Sequence, residues 1–258
     1  MRALIGLFLL AGCAADSEPA PARRVASACA TVSFEGDGFT HCLAVPGVHT
    51  VRTQLDAPDG DPARSLEVLA DIVPDPKQVA FAMNGGMYDE NGEPIGYYVE
   101  DGERRHTLNR VAGGGNFGLL PNGVFWVDAA KDGKGGGWHV RSADVFADTV
   151  KRRPAFATQS GPMLVIAGKL HPRIAANGES LHVRNAVGID AKGRAHFVIS
   201  DSAISFGRLA RFMRDRLKCP NALYLDGSVS ALWDPAAGRL DRTVPLGPLI
   251  VVEKTPRR

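Results

Sequence analysis

The stretch Ala186-Val187-Gly188-Ile189-Asp190-Ala191-Lys192-Gly193-Arg194-Ala195-His196-Phe197-Val198-Ile199-Ser200 decides how this chain folds. Two short apolar runs, Ala186 to Ile189 and His196 to Ile199, flank Asp190-Ala191-Lys192-Gly193-Arg194. That polar segment carries an aspartate able to bond the backbone beyond it and a glycine at ease in a tight turn, so the runs read as two strands of one hairpin. Pro121-Asn122-Gly123, between the apolar runs 117–120 and 123–127, reads as a second hairpin turn. Further strands are expected at 30–34, 48–55, 79–83, 95–99, 162–167, 222–225 and 247–252. Helical periodicity is confined to 62–71, 141–151 and 205–217, where Leu209, Phe212, Met213 and Leu217 form an apolar face and Arg208, Arg211, Arg214 and Arg216 the remainder. Few helices among many strands, several of them in consecutive hairpins, give an α+β class: a single β-rich domain with a mixed sheet and a few packing helices.

The N-terminus is set apart from this pattern. Met1-Arg2 and the apolar run Ala3 to Leu10 form an export signal, too short to span a bilayer as a mature helix. It ends in Leu10-Ala11-Gly12-Cys13, similar to a bacterial lipobox, so Cys13 is the expected lipidation site and residues 1–12 the part removed. Residues 13–27, rich in Ala, Pro and charge, then read as a disordered tether, and 28–258 as the folded domain. The expected location is the periplasmic face of the envelope, anchored by lipid at the outer membrane. Cys29 and Cys42 bracket a strand and a turn, and in an oxidising compartment they should pair, leaving Cys219 as a buried thiol. With 30 basic and 28 acidic residues there is no nucleic-acid footprint, and the histidines show no pair at metal-ligand spacing. The expectation is a monomer without cofactor or metal, acting on a polar substrate.

Chemistry concentrates in four Gly-centred segments at strand ends: Asn84-Gly85-Gly86-Met87-Tyr88, Gln159-Ser160-Gly161-Pro162-Met163, Arg184-Asn185-Ala186-Val187-Gly188 and Tyr224-Leu225-Asp226-Gly227-Ser228. Glycine there lets the backbone turn sharply or a ligand approach closely, so the four read as walls of one cleft. Asn84, with Gly85 and Gly86 beside it, suits sugar hydroxyls or a water; Gln159 and Ser160 add donors; Asn185, Gly227 and Ser228 complete the substrate-binding set. Ser160 lacks the flanking pattern of a nucleophile elbow and is a binding position. Asp226 follows a buried strand, where it serves either as a turn residue or as a catalytic carboxylate, and Asp201, after Phe197-Val198-Ile199-Ser200, has the same two readings.

These segments, in order, together with Gly96-Tyr97-Tyr98-Val99-Glu100-Asp101-Gly102, Gly115-Asn116-Phe117 and Phe197-Val198-Ile199-Ser200, resemble the phosphodiester glycosidase family across residues 29–252. Its lysosomal member removes N-acetylglucosamine from a phosphodiester-linked mannose, and this chain is most similar to the bacterial exported branch. The resemblance implies a mixed α+β fold and cleavage of a sugar-1-phosphodiester. One departure is Gly227-Ser228-Val229-Ser230, where the lysosomal type carries a run of glycines and serines, so the substrate loop should differ in shape. The phosphate leaving group of such a substrate is already acidic, so cleavage at the sugar carbon needs little proton donation, only a cation on the phosphate and a carboxylate near the anomeric centre. Arg184, whose fork suits two phosphate oxygens, is the expected cation and Asp226 the expected carboxylate. The function expected is a hydrolase acting on a phosphate-linked carbohydrate of an envelope or scavenged glycan. The competing class is a non-catalytic glycan- or peptidoglycan-binding lipoprotein, and a third reading is hydrolysis of the other phosphate bond.

Overall fold

Apolar runs without alternation require cover on both faces of a sheet, and the runs that form the inner strands of this chain have that cover. The computed structural model describes residues 26–130, 136–226, 229–242 and 244–255. Its strands begin with β1 (Cys29–Phe34), β2 (Asp37–Ala44), β3 (His49–Gln54), β4 (Val79–Asn84), β5 (Tyr98–Glu100) and β6 (Glu103–His106). There follow β7 (Gly123–Val127), β8 (Trp138–Ser142), β9 (Phe156–Ser160), β10 (Met163–Ile166), β11 (Lys169–Leu170) and β12 (Asn185–Ile189). The last are β13 (Ala195–Ser200), β14 (Asn221–Asp226), β15 (Leu232–Asp234), β16 (Arg239–Leu240) and β17 (Leu249–Lys254). The helices are α1 (Leu66–Ile72), α2 (Ala143–Thr149) and α3 (Phe206–Arg211), the last continuing as a π-helical turn over Phe212–Arg216.

Three sheets result, in the strand orders β1-β2-β13-β12-β14-β10-β11, β16-β15-β4-β17-β3 and β6-β5-β9-β7-β8. Their inner faces share one core, to which the first contributes Val187, Phe197 and Leu223, the second Phe81, Met83 and Ile250, and the third Phe125, Val140 and Phe156. The residues in between point outward, and one helix backs each sheet. The π-extended α3 covers Ala186, Val198 and Ala222 with Leu209, Phe212 and Met213. Leu66 and Leu69 of α1 cover Ala82 and Val251, and Phe146 of α2 covers Val124 and Trp126. Period-2 alternation therefore divides one apolar side chain from the next rather than apolar from polar, which is why β4, β12, β13 and β14 are buried throughout. Each helix starts alike: the hydroxyls of Ser65, Ser142 and Ser205 accept from the amides of Val68, Val145 and Arg208.

The α+β class and single β-rich domain are as expected, while the pairing is more uniform than the expected mixed sheet. Every adjacent pair among the described strands is antiparallel, and the helices α1, α2 and α3 carry the chain from β3 to β4, from β8 to β9 and from β13 to β14, strands that run alongside one another with one antiparallel strand paired between them. The β12–β13 hairpin turns at Asp190, whose amide bonds the Arg194 carbonyl. Cys29 and Cys42 are directly opposed in the β1–β2 hairpin and joined by a disulfide, while Cys219 is a free, buried thiol. Residues 117–120 form turns instead of a strand, so Pro121-Asn122-Gly123 is not a hairpin; the Asn122 amide donates to the carbonyls of Asn109 and Phe117. Residues 1–25, including the expected signal and Cys13, lie outside the described residues, as do Gly227 and Ser228.

Candidate active site

The three sheets meet where β4, β9, β12 and β14 end or begin. Asn84 closes β4, Asn185 opens β12, Asp226 closes β14, and Asn185 and Asp226 are register partners. The Asn185 amide donates to the Asn84 backbone carbonyl at 2.9 Å and to Asn84 Oδ1 at 3.0 Å, and its own Oδ1 accepts from the Asp226 amide at 2.9 Å. Asn84 Oδ1 also accepts from Ala231 N at 2.9 Å, while Asn84 Nδ2 donates to the Val229 carbonyl at 2.7 Å and to Asp226 Oδ2 at 3.4 Å. A carboxamide has two donors and two lone pairs, and all four of Asn84's are engaged by protein. Asn84 therefore orients the Asp226 carboxylate and the chain beyond it rather than facing a sugar hydroxyl, and the fully buried Asn185 supports Asn84.

The third sheet reaches the same junction. Ser160 donates to the Leu225 carbonyl at 2.6 Å, the bond beside Asp226, and Thr158 donates to the Gly85 carbonyl at 2.7 Å. Gln159 is turned away: its carboxamide oxygen accepts from the amides of Tyr97 and Asn109, and its nitrogen donates to the Asn109 carbonyl. The glycines admit protein, not ligand. A Cβ at Gly85 would run into Ile250, and Gly86, at φ +125°, sits on the Thr158 hydroxyl. Gly188 makes room for the π-turn, since a Cβ there would lie 2.7 Å from Met213 Cε and 2.9 Å from Cys219 Sγ.

Arg184 differs most from its expected role. Its guanidinium is fully buried, with Nε on the Ile204 carbonyl at 2.8 Å, one terminal nitrogen on the Tyr224 hydroxyl at 2.9 Å and the other on the Ser180 carbonyl and hydroxyl. It lies 3.7 Å from the Phe206 ring centre, and burial holds its pKa below the ordinary arginine value. This is a guanidinium that anchors the start of β12 from within. Asp201 stands apart from the junction as well: exposed, it accepts from the Thr40 hydroxyl at 3.0 Å while its amide bonds the Gly38 carbonyl. Arg208 is engaged with Glu35 and Asp37, and Arg110 with Asp144.

Sequence reading missed the wall beside Asp226. Tyr88, at the end of the Gly85-Gly86 turn, donates its hydroxyl to the Pro245 carbonyl at 2.8 Å, with its ring against Gly247. Burial and then the Asp226 charge raise its pKa above the ordinary phenol value, and Arg64 opposes them. Arg64 lies 5.7 Å from the Tyr88 ring centre in a left-handed conformation of φ +58°; its Nε is buried with no hydrogen-bond partner. A non-glycine residue at positive φ with an unmatched buried donor is a strained, functional kind of placement, invisible in a lone arginine before a helix. Among the described residues, no three His, Cys, Asp or Glu side chains gather closely enough to hold a metal ion.

Fold and site together define a three-sheet α+β domain in which a carboxylate is fixed by asparagines at the sheet junction. The chain belongs to the phosphodiester glycosidase family, whose model matches residues 77–247. It is 34% identical over 209 residues to the Escherichia coli (strain K12) protein called "Uncharacterized protein YigE", covering 81% of this chain and 79% of that one. Among solved structures it is similar to the catalytic domain of zebrafish N-acetylglucosamine-1-phosphodiester alpha-N-acetylglucosaminidase, auto-inhibited by its pro-peptide, at TM-score 0.56 and 17% identity, covering 88% of this chain and 82% of that one. A putative exported protein of Burkholderia pseudomallei shares the fold at TM-score 0.52 and 12% identity over 84% of this chain and 74% of that one.

Proposed function

We propose that this protein hydrolyses a sugar-1-phosphodiester between the anomeric carbon and the phosphate oxygen, releasing free sugar and a phosphate monoester. Family membership supports the reaction class, and the observation that carries the reading is Asp226, a buried carboxylate aimed by the Asn84 carboxamide at the junction of three sheets. In this mechanism Asp226 takes a proton from the attacking water, or stabilises the positive charge growing on the sugar carbon, as the C1–O bond breaks. The bond's electrons leave on the phosphate as a stable anion, so no strong general acid is required. Arg64, beside Tyr88, supplies the cation for that departing charge, replacing Arg184, whose donors are engaged within the protein. The reading includes export and a lipid anchor at Cys13, supported by the lipobox-like Leu10-Ala11-Gly12-Cys13.

A panel of sugar-1-phosphodiesters, with products resolved by mass spectrometry, tests it. Free sugar with phosphate monoester is the expected pair. Release of sugar-1-phosphate would place the cut on the other bond, and binding without turnover would make the protein a glycan receptor.

A further inference from the structure

At the end of β12 and β13 remote from Asp226 lies a second assembly of ionisable groups that the proposed reaction does not use. Asp190, in the β12–β13 turn, accepts from the amides of Lys192 and Arg194 at 2.8 and 3.0 Å and from the Arg194 guanidinium at 2.7 and 2.6 Å. His196 Nε2 lies 3.2 Å from the same carboxylate, and His196 Nδ1 lies 3.0 Å from Nε2 of His41 on β2. The two rings are within 10° of parallel. So many donors keep Asp190 ionised, and an ionised carboxylate requires the proton on His196 Nε2. His196 Nδ1 is then an acceptor, His41 Nε2 its donor, and His41 Nδ1 is left carrying a lone pair.

That lone pair belongs to a residue lining a cavity of about 460 Å³, whose other charged walls are Lys192, Arg194, Arg216 and Lys218. Arg216 is delivered by the π-helical turn, and Arg216 and Arg194 both act electrostatically on His41. Four cations stand against the single anion Asp190, which already holds Arg194. A neutral acceptor inside a ring of positive charge matches a ligand that is an anion and a hydrogen donor at once. Near pH 6 sulfate and carboxylates carry charge but no proton, whereas a phosphate group, whose second pKa lies at about 6 or above, carries both.

We infer that this cavity binds a phosphate group, as inorganic phosphate or a phosphate monoester, whose P–OH donates to His41 Nδ1 while its charged oxygens take Arg216, Lys218 and Lys192. The site is separate from Asp226, at the other end of β12, and does not depend on the proposed hydrolysis.

Calorimetric titration at pH 6 and constant ionic strength, with inorganic phosphate, glycerol 3-phosphate and sulfate as probes, tests the inference. Sulfate is the more highly charged probe at that pH, so charge alone would favour it. The expected order is reversed, with both phosphates at least about tenfold tighter than sulfate, the worth of one good hydrogen bond. Tighter binding of glycerol 3-phosphate than of inorganic phosphate identifies the monoester as the source, and the opposite order identifies free phosphate. His41→Phe should abolish the preference over sulfate. Arg216→Ala, at an exposed position whose loss the fold tolerates, should weaken every probe about tenfold or more. Asp226→Asn should leave phosphate binding here unchanged. Sulfate binding as tightly as phosphate, or phosphate binding indifferent to Arg216→Ala, overturns the inference.

Discussion

Asp226 and Arg184 stand two strands' ends apart in function although both are nearly sealed from water. The Asp226 side chain accepts a hydrogen bond from Asn84 and its charge raises the Tyr88 phenol, whereas the Arg184 guanidinium is closed in by Ile204, Tyr224, Ser180 and Phe206. Asp226→Asn keeps the shape and removes the charge, so turnover of a sugar-1-phosphodiester should fall at least about a hundredfold with an unchanged circular dichroism spectrum. An unaltered rate would remove Asp226 from the chemistry. Arg64→Lys keeps the charge but loses the fork; it should depress hydrolysis of the phosphodiester while leaving an uncharged aryl glycoside nearly unaffected, because a contact acts only on a substrate that has the group it touches. Equal losses on both substrates would assign Arg64 to the fold. The position of Asp226 at the end of a buried strand was legible, because an apolar run followed by aspartate and glycine is a local pattern. The engagement of Arg184 was not, since Ile204 and Ser180 reach it only through tertiary folding.

Turns decided which elements could be read. The β12–β13 and β1–β2 hairpins are visible because turn residues act within a few positions, and the helix over Phe206–Arg216 is visible because its apolar face repeats at helical spacing. Strand β9 was missed because Thr158, Gln159 and Ser160 are polar yet buried, each satisfied by a partner far along the chain. Residues 117–120 looked like a strand because they are apolar, but the backbone turns there and Gly118 packs on Gly113. Gly86 ties the junction to this scale. With φ at +125° and Thr158 against it, Gly86→Ala combines backbone strain with a steric conflict and should destabilise the fold by about 1–3 kcal/mol, measured by urea denaturation. The Cys29–Cys42 bond closes a hairpin of 13 residues' separation, and Cys29→Ser with Cys42→Ser should cost about 3 kcal/mol on the chain-entropy account. Non-reduced peptide mapping of the native protein with both cysteines alkylated would remove that staple.

At the scale of the whole molecule, three helix-backed sheets close on one core, and this burial sets how stability responds to acid. His41 is held at a pKa of about 4, first by burial and then by His196, Arg216 and Arg194; His49, His171 and His196 are also lowered, each chiefly by burial. Burial alone would raise Asp190, but hydrogen bonds from Arg194, His196 and Lys192 bring it to about 2. A histidine kept neutral in the fold gains its proton more readily when unfolded, so the unfolded state takes up protons first as pH falls. Stability contributed by His41 is therefore complete above about pH 6.5, the ordinary histidine value, and declines as pH falls toward about 4. The Asp190 contribution is present above the ordinary aspartate value and is lost as pH falls further, toward about 2. Both slopes have the same sign, so urea midpoints should be level between pH 7 and 8 and should fall progressively below about pH 6.5. His41→Phe, which cannot titrate, should flatten the upper part of that decline while leaving the steeper loss at lower pH in place. A wild-type midpoint that rises on acidification from pH 7 to 5 would show that these histidines bind their protons more readily in the folded protein, and the neutral His41 acceptor would be lost with them.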